Sequence, residues 1–423
     1  MSGRHRRCDF DVTSQTASRS LVRMIVILGS IVAVGPLTID MYLPAFPSIG
    51  ADLAADPTAV QLTLTGTLLG LAVGQLLVGP LADAFGRRRP LLCGLGLHVV
   101  ASLLCLVAPT VAVLGVLRVL QGLGAAAAAV VASAVVRDLV SGVAAAKVFS
   151  RLMLVLAAAP ILAPSLGSAV LRWADWRGIF VALAILATAI GAVAAWALPE
   201  TLPPQRRQRP DLRTTLRSYR TILRDRPFVG LALVGSLGMA TIFSYVGGSS
   251  YVMQQEYGLS EQEFAVLFGL GAVGLIGSTQ LNVRLLNRFT PRQIILGALA
   301  VASVGMVLVL IATATHIGGL VGLMVPLWPA LASIGLANPN AGAMALSRHG
   351  EAAGTAASIT GSLQFGLGAL TAPLVGALGA TSLAMATVMV VTTFAALASM
   401  LFIVRDADLD ATDGAAEPAV AHA

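Results

Sequence analysis

The stretch GQLLVGPLADAFGRRRP, residues 74–90, decides how the rest of the chain is read. An apolar helix ends there in a glycine-punctuated turn carrying one acid, Asp83, and three consecutive arginines, Arg87, Arg88 and Arg89. A second apolar segment starts at once from Pro90. A hairpin that crosses lipid twice is the simplest structure with this pattern. Arginine clusters beside membrane spans stay on the cytoplasmic side, so the turn also proposes an orientation for the whole chain.

Composition agrees. The 423 residues are 57% hydrophobic and only 11% charged, where an ordinary soluble domain is about one quarter charged. Apolar runs of about 20 residues, enough to cross a ~30 Å hydrocarbon core, recur along almost the whole length. The net charge of +7 does not point to nucleic acid, because the arginines sit in short loops between apolar runs and not on one polar face. Cys8, Cys93 and Cys105 are odd in number and two of them lie within an apolar run, so neither a disulfide framework nor a metal site follows. The basic N-terminus followed by the run from Met24 to Ile39 has the outline of a signal peptide. It lacks a small-x-small cleavage site and more spans follow, so it is expected to be a retained first helix.

Apolar runs bounded by charges, Pro or Gly predict an all-α polytopic membrane protein with twelve transmembrane helices in two six-helix halves. A cytoplasmic N-terminus, 1–23, precedes a first half, 24–198. A basic linker, 199–226, holds eight arginines and four prolines. A second half, 227–404, is followed by a tail, 405–423, whose composition predicts disorder. Helix 1 is expected from about Met24 to Leu43 and helix 11 from about Gly354 to Leu378. When alternate loops are placed on alternate sides, nearly all of the 27 basic residues share one side. Only Arg172 and Arg177 fall opposite, and Arg118 is left within helix 4. The positive-inside rule then puts both termini and the linker in the cytoplasm of a multi-pass inner-membrane protein. Two such halves suggest nested inverted repeats with a cavity at their interface near the bilayer midplane.

Asp40 and Arg118 are the charges that fall clearly within apolar helices. A charge in hydrocarbon costs roughly 2.5 to 3.5 kcal/mol even on the lenient insertion scale, so such residues face a cavity or each other. Asp40 lies about 26 Å beyond Arg23 along a helix, and Arg118 about 10 Å into helix 4 from the same outer side. The depths match, so one cavity can hold both. Arg118, Gln121, Gly122 and Ala125 share one helix face. Two readings stay open: a structural Asp40–Arg118 salt bridge, or Asp40 binding a proton or a cationic group under the influence of the arginine.

In helix 5, Pro160, Pro164 and Gly167 repeat the i, i+4, i+7 spacing and predict a kinked helix with a narrow face, or an ordinary proline kink. Helices of the second half carry only neutral polar residues, among them Thr241, Ser244, Tyr245, Gln280, Asn282, Asn338, Asn340 and Gln364. These either line a cavity or bridge helices; Tyr42, Tyr245, Asn338 and Gln364 are the candidates for its lining. Trp173, Trp176, Tyr251 and Tyr257 are expected as interfacial anchors near the outer surface.

Residues 79–89, GPLADAFGRRR, resemble the loop motif between helices 2 and 3 of the major facilitator superfamily, and 118–122, RVLQG, its helix 4 motif. More narrowly, 40–47, DMYLPAFP, with 70–75, GLAVGQ, and 160–164, PILAP, are similar to the bicyclomycin-resistance (Bcr/CflA) drug exporters. Ala84 stands where that pattern commonly has a basic residue, and Ala163 and Ser168 where the fuller helix 5 pattern has glycines. The resemblance implies proton-coupled export of small drug-like compounds by a monomer in the lipid bilayer, driven by the proton gradient without a cofactor. It implies Asp40 as the proton or substrate carboxylate, Arg118 and Gln121 as the groups that tune it, and Pro160, Pro164 and Gly167 as an antiporter-type motif. Gly79, Asp83, Gly86 and Arg87 become a conformational gate, in which Asp83 is expected to clasp the N-terminus of helix 11 while the cavity faces outward. A proton-coupled importer of a metabolite is the alternative within the same fold, and a non-transporting receptor the alternative outside it. No His cluster, paired acids or serine nucleophile motif supports an enzyme.

Overall fold

A computed structural model describes residues 9–140, 142–207 and 212–404; the tail 405–423 lies outside the described residues. The first group of helices is α1 (Asp9–Asp40), the short α2 (Phe46–Asp52), α3 (Pro57–Phe85), α4 (Arg88–Cys105), α5 (Val111–Leu139), α6 (Gly142–Leu171) and α7 (Arg177–Ala197). After α8 (Leu212–Ile222) come α9 (Arg226–Tyr251), α10 (Glu261–Leu285), α11 (Pro291–Thr315), α12 (Gly319–Ser347), α13 (Ala353–Ala377) and α14 (Ser382–Phe402). Expected helices 1 to 12 correspond to α1, α3 to α7 and α9 to α14.

Helices are what an apolar chain must form in lipid, because each satisfies its own backbone. Their starts are written locally. The Asp56 side chain caps α3 with Pro57 at the first position, and Thr110 caps α5. Full capping boxes open α10 through Ser260 and Glu263 and α11 through Thr290 and Gln293. The start of α4 is capped from far away. The Glu200 carboxylate accepts the backbone N–H of Arg87 at 2.8 Å and of Arg88 at 3.3 Å. Burial alone would raise its pKa, but these bonds, that of Leu202 and the Arg207 charge outweigh burial and hold it below the usual carboxylate range. Gly86 precedes that cap with φ +88°, and a Cβ there would overlap the Glu200 carboxylate.

Packing follows small residues. A Cβ on Gly70 would overlap the Val119 carbonyl, and one on Gly122 the Thr67 carbonyl, so α3 and α5 touch backbone to backbone. Helix pairs α1/α6, α3/α5, α4/α5 and α4/α7 recur six long helices later as α9/α13, α10/α12, α11/α12 and α11/α14. The two groups meet along α3/α13 and α6/α10.

Four differences from the sequence reading have physical causes. Eleven helices among the described residues are long and apolar enough to cross a membrane; α13 has 25 residues but is diluted by Gly, Ser, Thr and Gln. Helix 1 is cut at Asp40, with a 3-10 turn at Leu43–Ala45, not continued to Leu43. The linker contains the amphipathic α8, whose Ile222 is buried and whose Tyr219 hydroxyl donates to the Leu76 carbonyl at 3.0 Å. Trp173 is exposed as an anchor should be, but Trp176 and Tyr251 are buried. Trp176 donates to Asp52 at 3.0 Å and Tyr251 to the Phe46 carbonyl at 3.4 Å, so both serve as internal struts.

Candidate functional site

A cavity of about 310 Å³ lies between the two groups of helices. Its wall is almost wholly apolar. Asp40 is the one charged side chain among the described residues lining it, with Gln75 and Tyr245 as polar companions. Pro160 of α6 lines it too.

Asp40 stands at the end of α1 because of what precedes it. The helix stops there, so the Thr38 carbonyl is not taken up by the next turn and instead accepts both terminal nitrogens of Arg118, each at 3.1 Å. A guanidinium at a helix C-terminus meets the negative end of the helix dipole. Gly167 of α6 allows the break to be packed, since a Cβ there would overlap the Met41 carbonyl.

Arg118 is completely buried. It also donates to Gln121 Oε1 at 2.5 Å, and Gln121 Nε2 donates to Ser102 at 2.7 Å. Its guanidinium lies 4.3 Å from the ring centre of Tyr42 and 5.7 Å from that of Phe180. Carbonyl, amide and two aromatic faces thus replace most of the water that a buried charge requires, and Nε is left without a hydrogen-bond partner among the described residues. The Asp40–Arg118 salt bridge does not form: no ion pair joins them among the described residues. Arg118 instead bonds the Thr38 carbonyl, two residues before Asp40.

His98 belongs to this cluster and escaped the sequence reading. The Thr38 hydroxyl spends its hydrogen on the Val34 carbonyl at 2.6 Å, so its oxygen accepts from His98 Nε2 at 2.8 Å. That fixes the tautomer, with Nδ1 buried and unpartnered among the described residues. A lone histidine in an apolar run gives no spacing signal; its counterpart, Thr38, is 60 residues away.

The other candidates divide. Tyr245 lines the cavity. Tyr42, Asn338 and Gln364 do not. Tyr42 turns beneath Arg118 and donates to Thr63 at 2.9 Å, while Asn338 and Gln364 pack against Gly238 and Gly235 of α9. Pro164 sits one turn beyond Pro160 inside α6.

At the far end of α3, Arg87 bonds Asp83 at 2.5 Å and Asp138 at 2.8 Å. Burial would lower its pKa, but the two carboxylates outweigh burial and keep it above the ordinary value. Asp83 therefore holds Arg87 in this structure and not the start of α13; a polar pocket of about 440 Å³ includes Asp83, Gly79 and, across it, Gly354. A matching tie in the second group was missed. Asp225 before α9 bonds Arg348 after α12 at 2.8 Å and His349 at 3.0 Å. Burial would raise its pKa, and these partners outweigh burial and bring it below the usual range.

On the face opposite the linker, the groups are stitched together. Ser250 donates to the Leu43 carbonyl at 2.7 Å, Gln254 to that of Pro44 at 3.2 Å, and Gln61 to that of Gly247 at 3.0 Å.

The sequence pattern of the Major Facilitator Superfamily matches residues 28–373. An uncharacterized MFS-type transporter, YdgK, of Bacillus subtilis is 36% identical over 89% of this chain and 93% of its own. A bicyclomycin resistance protein homolog of Haemophilus influenzae is 31% identical over 85% of this chain and 90% of its own. The multidrug resistance protein MdtL of Escherichia fergusonii is 31% identical over 59% and 63%. Among solved structures, the xylose transporter XylE from E. coli in a partially occluded inward open conformation superposes with a TM-score of 0.69 at 15% identity, over 90% of this chain and 98% of its own.

Proposed function

The chain belongs to the major facilitator superfamily and is a transporter, not an enzyme; from that premise we propose that it is a proton-coupled antiporter exporting small drug-like compounds. In this reading, twelve helices in two halves work by alternating access across the cytoplasmic membrane, with both termini in the cytoplasm. One chain encloses the cavity, so a monomer suffices, and the proton gradient drives it without a cofactor.

The observation that carries the reading is the isolation of Asp40 in an apolar wall. A carboxylate so placed is stabilised by a proton or by a cationic group on a ligand, and the two compete for the same oxygens. Competition of that kind is antiport. The wall favours apolar and amphipathic compounds, in keeping with the resistance proteins among the relatives. Two independent clamps, the Arg118 hydrogen bonds at Thr38 and the Gly167 contact at Met41, hold the break that presents Asp40.

Transport direction tests the reading. Everted vesicles containing the protein should accumulate a permanently cationic amphipathic drug such as ethidium when acidified inside. Accumulation only under the opposite gradient would mean an importer.

A further inference from the structure

A proline in α3 leaves a carbonyl for another helix. Pro80 lies inside α3 and has no N–H to give the Leu76 carbonyl one turn earlier. The Tyr219 hydroxyl of α8 donates to that carbonyl at 3.0 Å. Tyr219 belongs to the second half: Ile222, three residues on, is buried with Phe228 of α9 and Ile359 of α13. Leu76 belongs to the first. The bond therefore crosses between the halves, and it uses a carbonyl that its own helix cannot satisfy.

That bond sits between two chambers. Along α3, Leu71 and Gln75 line the Asp40 cavity, and Gly79 and Asp83, on the next two turns, line the polar pocket. Along α5, Ala125 and Ala129 line the first, and Ala134 and Arg137 the second. On α13, Phe365 lines the first and Ser358 the second. The polar pocket thus continues the Asp40 cavity toward the linker. Gln75 marks the partition, lying so close to α13 that a Cβ on Gly361 would be 3.1 Å from its side chain. Leu76 is the next residue. From α8, Thr214, Ser218 and Tyr219 line the polar pocket.

We propose that α8 is a lid over the linker-side entrance to the Asp40 cavity, latched by the bond from Tyr219 to the carbonyl that Pro80 leaves free. The polar pocket is the antechamber behind the lid, and in this structure the latch is closed. When α3 and α13 part at Gln75 and Gly361, Leu76 moves away from Tyr219 and water in the antechamber bonds both groups in its place. A single hydrogen bond that water can replace is a weak hold, so the lid opens and recloses readily. This assignment rests on the exporter reading in taking the Asp40 cavity as the substrate site and the antechamber as its approach from the cytoplasm.

Accessibility of the cavity tests the lid without drug or proton gradient. In the full-length protein with its native cysteines replaced by alanine, Ala129→Cys places one thiol in the cavity wall. Its alkylation by N-ethylmaleimide is followed in purified protein in detergent. Tyr219→Phe, which removes only the hydroxyl, should raise the rate by about fivefold, the shift in open population that one such bond sustains. Pro80→Ala supplies the missing N–H to Leu76, so it should raise the rate too, and adding Tyr219→Phe to it should change little. An unchanged rate in either single variant, or the same rise from Tyr219→Phe with Pro80→Ala present, would overturn the latch. Drug flux in vesicles reports separately on the exporter. A faster thiol in a protein that moves no drug keeps the lid and loses the exporter, and a pumping protein with an unchanged thiol does the reverse.

Discussion

The two halves share their helix pairings but not their polarity. In the first, Asp40, Arg87, His98 and Arg118 are all buried; in the second, the buried polar side chains among the described residues are uncharged, mainly Ser, Thr and Asn with Tyr245 and Tyr251. Thr241 meets Thr392 at 2.8 Å and Asn340 donates to Asn282 at 2.7 Å, each a neutral bridge between helices. The first half thus buries charge, most of it beside a broken helix, and the second fastens its helices with hydroxyls and amides. A repeat fixes which helices touch, and leaves open what chemistry is put between them.

The comparison can be broken by removing polar groups from each half in turn. Arg118→Leu should have the largest effect. It strands the Thr38 carbonyl and the Gln121 amide, each a buried group worth about 1–3 kcal/mol when left unpaired. Thermal unfolding in detergent should fall markedly, and Arg118→Lys should recover only part of the loss, since an ammonium does not reproduce the planar fork. In the second half, Asn340→Leu should cost about 1 kcal/mol or less, in the range of hydrogen bonds between membrane helices. A larger loss for Asn340→Leu than for Arg118→Leu would reverse the contrast.

A smaller effect concerns the ties at the helix ends. Asp225 has its folded pKa below the unfolded value of about 3.9. Its contribution is present in full above that value and is lost as pH falls through the folded pKa. Wild-type stability should therefore carry an acid-side component below about pH 4 that Asp225→Asn lacks, with a cost for the variant near neutrality of about 1 kcal/mol. Identical acid limbs for the two proteins would remove Asp225 from the stability of that end.

Much of this was legible in the chain. Apolar runs, capping residues such as Ser260 and Thr290, and the arginine-rich loops are local signals, and local signals set helix ends. Asp40 and Arg118 stood out because charge is costly in an apolar run. Their relation did not follow, because it depends on a helix that stops two residues after Thr38 and on a guanidinium from 80 residues away. The same distance hid His98, and the tie of Asp225 to Arg348 spans 123 residues. Linker helix α8 was concealed by its charge, since a helix of Arg and Thr has too few apolar residues to mark itself until Tyr219 and Ile222 find a surface. Tyr42 shows the converse error: a residue adjacent to the site in sequence turned away from the lumen once the helix broke.

The central claim is that Asp40 holds a proton that a substrate displaces. It is tested most directly by proton release on binding, using a pH-sensitive dye and the purified protein in weakly buffered detergent solution. Addition of a transported cationic drug should release protons from the wild type and none from Asp40→Asn, with both proteins folded by thermal unfolding. Equal release from the variant would contradict the account.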